Sequence, residues 1–167
     1  MSAPLAYAEA LAAAVRIEDN GALFYSKAAA GALDPEVAQL FSRLAAMEED
    51  HGAYFRALAL DLEQREGIFI NDPEGTYAAS IKVMAGSGVA RFTAETAAAH
   101  GENGSAAAAL EFALAAEKDS VIFYLGLQEA IADREEADKL GGIIKEELQH
   151  IAILLDLLKK KKNAQEK

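Results

Sequence analysis

Cysteine and tryptophan are absent from this chain of 167 residues, and proline occurs only three times. Without thiols the chain cannot build a disulfide scaffold, a thiolate zinc site, an iron–sulfur cluster or a cysteine nucleophile. Their absence fits a reducing compartment. Basic residues are also scarce, with 16 Lys and Arg against 27 Asp and Glu and a net charge of −11. A field of that sign repels nucleic acid and anionic lipid, so neither is an expected partner. The one basic cluster, Lys159 to Lys162, reads as a solvated helix end matched to the helix dipole. No uncharged apolar run approaches the roughly 20 residues that span a bilayer. No Lys or Arg precedes the first apolar stretch, and Glu9 interrupts it, so a signal peptide is not expected. These features together predict a cytoplasmic protein.

What the chain has in quantity is helix-forming apolar residue. Hydrophobic residues make up 52%, and 38 of the 167 are alanine, the best intrinsic helix former. The length suits a single domain, here 1–167. Residues 4 to 31 carry a stripe at steps of three and four: Leu11, Val15, Glu18, Ala22, Tyr25 and Ala29. Gly31 ends this helix, and Asp34-Pro35-Glu36 starts the next, with Asp as cap and Pro in the first turn. The second stripe is Val37, Phe41, Leu44, Glu48, His51, Phe55, Leu58 and Leu62, reaching about Arg65. Ser105 opens a third helix to about 131, with Leu110, Leu114, Glu117, Val121 and Tyr124 on its stripe. Asp133 and Glu136 start the fourth, which carries Leu140, Ile143, Ile144, Glu147, His150, Ile151, Leu154 and Leu158. Gly141 and Gly142 weaken its first turns.

The expected architecture is all-α. Short links make antiparallel hairpins of residues 4–65 and 105–160. Between them lies a crossover, 66–104, punctuated by glycine and by Asn71-Asp72-Pro73, with room for short helices near 76–85 and 89–99. A connection of that length can run the length of the bundle and make the second and third helices parallel. That is a four-helix bundle with one long crossover.

The halves repeat with an offset of 99. Leu11 maps to Leu110, Glu18 to Glu117, Phe24-Tyr25 to Phe123-Tyr124, Asp34 to Asp133, Glu36 to Glu135, Glu48 to Glu147, His51 to His150 and Leu58 to Leu157. Counting residues to and from each turn at about 1.5 Å per residue puts Glu18 level with Glu48, and Glu117 level with Glu147. In Glu48-x-x-His51 and Glu147-x-x-His150, the spacing of three places both side chains on one helix face. Four Glu and two His therefore converge on apolar stripes at one depth.

Burying four ionised carboxylates together costs several kcal/mol per ion before repulsion is added. No Lys or Arg lies on the stripes near that level, whereas two divalent cations balance four carboxylates and two neutral imidazoles. Oxygen ligands with one imidazole per metal suit iron or manganese, and the ligand types do not exclude zinc or cobalt. One Glu-x-x-His by itself is weak, since chance supplies it for about one His in nine at this Glu content. Here two of three His have it, each 30 residues after another stripe Glu. Tyr25 and Tyr124 lie two turns beyond Glu18 and Glu117, where they can donate hydrogen bonds to the carboxylates, serve in electron transfer, or simply pack in the core. Asp50 and Asp119 adjoin the ligand face and read as solvated. His100, without partners at ligand spacing, reads as surface.

These segments, IEDNGALFYSKAA with LDPEVAQLFSRLAAMEEDHGAYF and AAEKDSVIFY with IIKEELQHI, resemble the ferritin-like di-iron carboxylate proteins, the rubrerythrin family above all. The resemblance covers about 1–65 and 105–160. It implies a di-iron site with Glu18 and Glu117 as terminal ligands, Glu48 and Glu147 bridging, and His51 and His150 on one metal each. It implies reaction with hydrogen peroxide or dioxygen, and a homodimer, with exchange of helices between subunits as one form of it. Full-length members carry a further Glu one turn after the third-helix ligand, where this chain has Ser120, and a cysteine-ligated domain that delivers electrons. A separate electron-donor protein is therefore expected. Iron oxidation and storage of the ferritin kind, and a metal-binding module without catalysis, are the alternatives.

Overall fold

The computed structural model describes residues 3–64, 76, 79 and 105–165. The expected crossover and its short helices lie outside the described residues, apart from helical Thr76 and Ala79, as do His100 and the side chain of Leu62. Four long helices make up the rest: α1 (Ala3–Gly31), α2 (Pro35–Gln64), α3 (Ala106–Ala130) and α4 (Arg134–Gln165).

The helix starts repeat as the sequence does. Asp34 Oδ1 accepts hydrogen bonds from the backbone N–H groups of Glu36 and Val37 at 3.0 and 3.3 Å. Asp133 Oδ1 does the same for Glu135 and Glu136 at 2.9 and 3.3 Å. Each cap satisfies two of the donors that a helix start leaves unpaired. Ser105 caps α3, its hydroxyl accepting from Ala108 N at 3.2 Å. Glu136 does not complete a reciprocal capping box. It is buried and accepts from Lys139 Nζ at 2.8 Å instead.

Two apolar clusters set the topology. One joins Tyr7, Leu11 and Ile17 of α1 to Phe55 and Leu58 of α2, to Val121, Tyr124 and Leu127 of α3, and to Leu140, Ile143 and Ile144 of α4. The other joins Phe24 and Tyr25 to Val37, Phe41 and Leu44, to Leu110, Ala113 and Leu114, and to Leu154, Leu157 and Leu158. The start of α1 thus lies with the end of α2, the end of α3 and the start of α4. The order is up, down, down, up, so α2 and α3 are parallel, the arrangement that one long crossover requires.

Two details depart from expectation. First, α4 continues to Gln165, beyond the expected end of the hairpin at 160. The lysine run there is not simply solvated. Lys161 Nζ lies 2.7 Å from Asp34 and 2.9 Å from Glu36, at the start of α2, and Lys162 Nζ lies 2.6 Å from Glu111 of α3. Cations on the last turns of α4 thereby complement the acidic residues at the start of α2 and the negative end of the α4 dipole. Second, the helix passes through Gly141 and Gly142 without a break. A Cβ at Gly141 would stand 2.8 Å from Gln128 Nε2, which donates to Ala137 O at 2.7 Å. The missing side chain lets Gln128 of α3 reach the backbone of α4.

Candidate metal centre

Each helix brings its polar residues to the same depth, between the two apolar clusters. Glu18, Glu48, His51, Glu117, Glu147 and His150 are all buried, none more than 3% exposed. Their ligand atoms form two overlapping groups. One is Glu18, Glu48, His51 and Glu147, and the other is Glu48, Glu117, Glu147 and His150, with the ligand atoms of each group within 4.8 Å of one another. Glu48 and Glu147 belong to both. The imidazole rings are stacked with centroids 5.6 Å apart.

The two rings present the same nitrogen to the centre. His51 Nδ1 lies 3.0 Å from Glu147 Oε1 and 3.7 Å from oxygens of Glu18 and Glu48. His150 Nδ1 lies 3.1 Å from Glu147, 3.2 Å from Glu48 and 3.8 Å from Glu117. Several of these atoms are close without being aligned for hydrogen bonds. Glu18 Oε2, Glu48 Oε1, Glu147 Oε1 and His51 Nδ1 are buried and have no hydrogen-bond partner. Buried polar atoms left this way are costly. They lie in two groups whose ligand atoms are within 4.8 Å of one another, as oxygen and nitrogen donors do around cations, and the residues therefore fit divalent metals.

The electrostatics agree. Burial and the Glu48 charge push Glu18 well above the usual carboxylate range, and burial with Glu147 does the same to Glu117. Glu48 and Glu147 move the other way: burial opposes ionisation, but hydrogen bonds, His150 among the donors in both cases, hold both below the usual range. Burial also disfavours charge on the imidazoles, yet the surrounding carboxylates outweigh it. They raise His51 strongly and push His150 up to about 9. In the metal-free cluster Glu18, Glu117, His51 and His150 therefore all hold protons more tightly than usual, and cations would take the place of those protons.

The tyrosines do more than fill the core. Tyr25 donates to Glu117 Oε1 and Tyr124 to Glu18 Oε1, each reaching across to the other hairpin. Burial, with Glu117 beside Tyr25 and Glu18 beside Tyr124, raises both phenols well above their ordinary value, so they remain donors. Ser120, where the resemblance would place a further Glu, turns its hydroxyl to Ala116 O at 3.2 Å. Asp50 is exposed, as expected, whereas Asp119 is half-buried. Glu146 is the residue that sequence reasoning passed over. Its Oε2 lies 2.9 Å from His51 Nε2, the ring nitrogen that faces away from the centre. A carboxylate immediately before the Glu of a Glu-x-x-His motif was the available signal.

The four-helix bundle, with its second and third helices parallel, has a ferritin-like fold. A Thermotoga maritima protein described as a ferritin-like diiron-carboxylate protein superposes with a TM-score of 0.66 at 20% identity, covering 93% of this chain and 95% of that one. The rubrerythrin family model matches residues 9–87, the stretch that contains Glu18, Glu48 and His51. No curated protein matches the chain.

Proposed function

We propose that this protein is a di-iron carboxylate oxidoreductase of the rubrerythrin type, reducing hydrogen peroxide or dioxygen with electrons from a separate donor protein. The observation that carries this reading is the pair of four-residue groups sharing Glu48 and Glu147. In it, Glu18 with His51 and Glu117 with His150 would each hold one iron, with Glu48 and Glu147 shared by both groups. Iron supplies the one-electron chemistry that neither carboxylate nor imidazole can perform. The protein's own part is to hold that chemistry dry and oriented. Apolar clusters above and below exclude water, and the rings of His51 and His150 present Nδ1 inward. Tyr25 and Tyr124 each hold a phenolic hydrogen bond to a terminal carboxylate and so orient it.

No described helix is long and apolar enough to cross a membrane. The reading places the protein in the cytoplasm, as a homodimer that meets its electron donor there. Stopped-flow mixing of the diferrous protein with peroxide and with dioxygen tests it. Oxidation by peroxide within milliseconds to seconds, lost in Glu48→Ala, is the expected result. The absence of any fast oxidation overturns the proposal, and oxidation by dioxygen alone with growth of an iron core assigns the protein to iron storage instead.

A further inference from the structure

The two halves of the centre are related by the repeat in every ligand, but not in what stands behind the histidines. His51 Nε2 bonds to Glu146 at 2.9 Å. The half-exposed Glu146 carboxylate is an acceptor, so the proton of the His51 ring belongs on Nε2 and the lone pair of the neutral ring on Nδ1, facing the carboxylates. The position that matches Glu146 in the first hairpin, 99 residues earlier, is Met47, one residue before Glu48. A thioether is at best a weak acceptor. Correspondingly, His150 Nε2 is buried and has no hydrogen-bond partner, in a residue that is 0% exposed. When His150 binds a cation through Nδ1, its Nε2 carries a proton that finds no acceptor.

We propose that Glu146 is a positioning residue that makes the two metal positions unequal, so that the ion held by Glu18 and His51 binds first and more tightly than the ion held by Glu117 and His150. This inference rests on the two-metal reading of the site. A carboxylate behind a ligand histidine fixes its tautomer and ring orientation and strengthens it as a donor, and removing such a partner weakens metal binding by about 10–100-fold. Ordered filling follows. The first ion sits on the His51 side, and the second enters a place whose histidine has no partner on its outer nitrogen, Nε2.

Cobalt(II) is a suitable probe, because its visible absorption reports ligation without redox chemistry. Equilibrium dialysis and absorption titration of the intact protein should show two ions per chain, taken up in steps separated by about 10–100-fold. At one ion per chain, anomalous scattering in a crystal should concentrate between Glu18 and His51. Glu146→Ala, which touches no inward-facing donor atom, should weaken the first step until the two merge. Met47→Glu should tighten the second step and leave the first unchanged. Steps unmoved by Glu146→Ala, both steps weakened equally, or first occupancy beside His150 would each overturn the inference while leaving a two-metal centre intact. Failure of the unaltered protein to take up cobalt would overturn the two-metal reading together with it.

Discussion

Tyr25 donates its hydroxyl hydrogen to Glu117, a residue of the opposite hairpin 92 positions further along the chain. Tyr124 returns the same bond to Glu18, and both tyrosines and both acceptors are separated by 99 residues. The two hairpins therefore clasp each other beside the centre through a reciprocal pair of contacts. Each removes one otherwise unpaired oxygen from a buried carboxylate.

Loss of either hydroxyl should be costly for that reason. Tyr25→Phe and Tyr124→Phe are each expected to destabilise the protein by about 1–3 kcal/mol, the range for leaving a buried polar atom without its partner. Urea unfolding followed by circular dichroism measures this. Equal and negligible effects would show that the carboxylates find other partners.

The imidazoles set the pH response of the metal-free protein. His150 is raised from 6.5 to about 9 in the folded chain, and His51 is raised as well. A group with a raised folded value contributes all its stability below the unfolded value and loses it as pH climbs through the folded one. Chelator-treated protein should thus lose stability between about pH 6.5 and 9.5, with His150 alone accounting for about 3 kcal/mol. Glu18 and Glu117, also raised, act in the same direction. Unfolding curves that strengthen across this window would contradict the assignment.

Metal uptake should reverse that trend and release protons. Because Glu18, Glu117, His51 and His150 hold protons more tightly in the metal-free fold, bound ions should displace protons from them. An indicator dye in weakly buffered solution counts them. Free metal at 100 times its dissociation constant adds about 2.7 kcal/mol per site, which corresponds to roughly 5–10 °C in Tm for a chain of this size. A melting temperature that chelation leaves unchanged would argue against a buried site.

The paired glycines of α4 separate helix propensity from packing. Gly142 has open space where a Cβ would go, so Gly142→Ala should stabilise the protein by about 0.5–1 kcal/mol. At Gly141 the same change pushes Gln128 away from Ala137 O, and the lost hydrogen bond, about 1 kcal/mol, offsets the gain. Thermal unfolding of the two variants side by side distinguishes them, and an equal gain in both would mean that the Gln128 contact contributes nothing.

Much of the fold and of the candidate site could be read from spacing. The stripes placed Glu18, Glu48, His51, Glu117, Glu147 and His150 on apolar faces, and residue counts from the turns placed them at one depth, where the structure has them. Asp34 and Asp133 announced the helix starts because capping is a local interaction. Spacing along one helix carries no information about which atom faces which across the bundle. Glu136 looked like half of a capping box and is instead buried beside Lys139. Lys161 looked solvated and meets Asp34, 127 residues away in sequence.

Helical periodicity and residue count dictated four helices, two hairpins and the level of the polar cluster, because rise per residue and side-chain direction are properties of the backbone alone. Only the packing of one hairpin against the other chose the partners: Tyr25 with Glu117, Tyr124 with Glu18, and the Nε2 of His51 with Glu146 but the Nε2 of His150 with none. Those pairings depend on the distance and rotation between helices, which contacts from both hairpins set together.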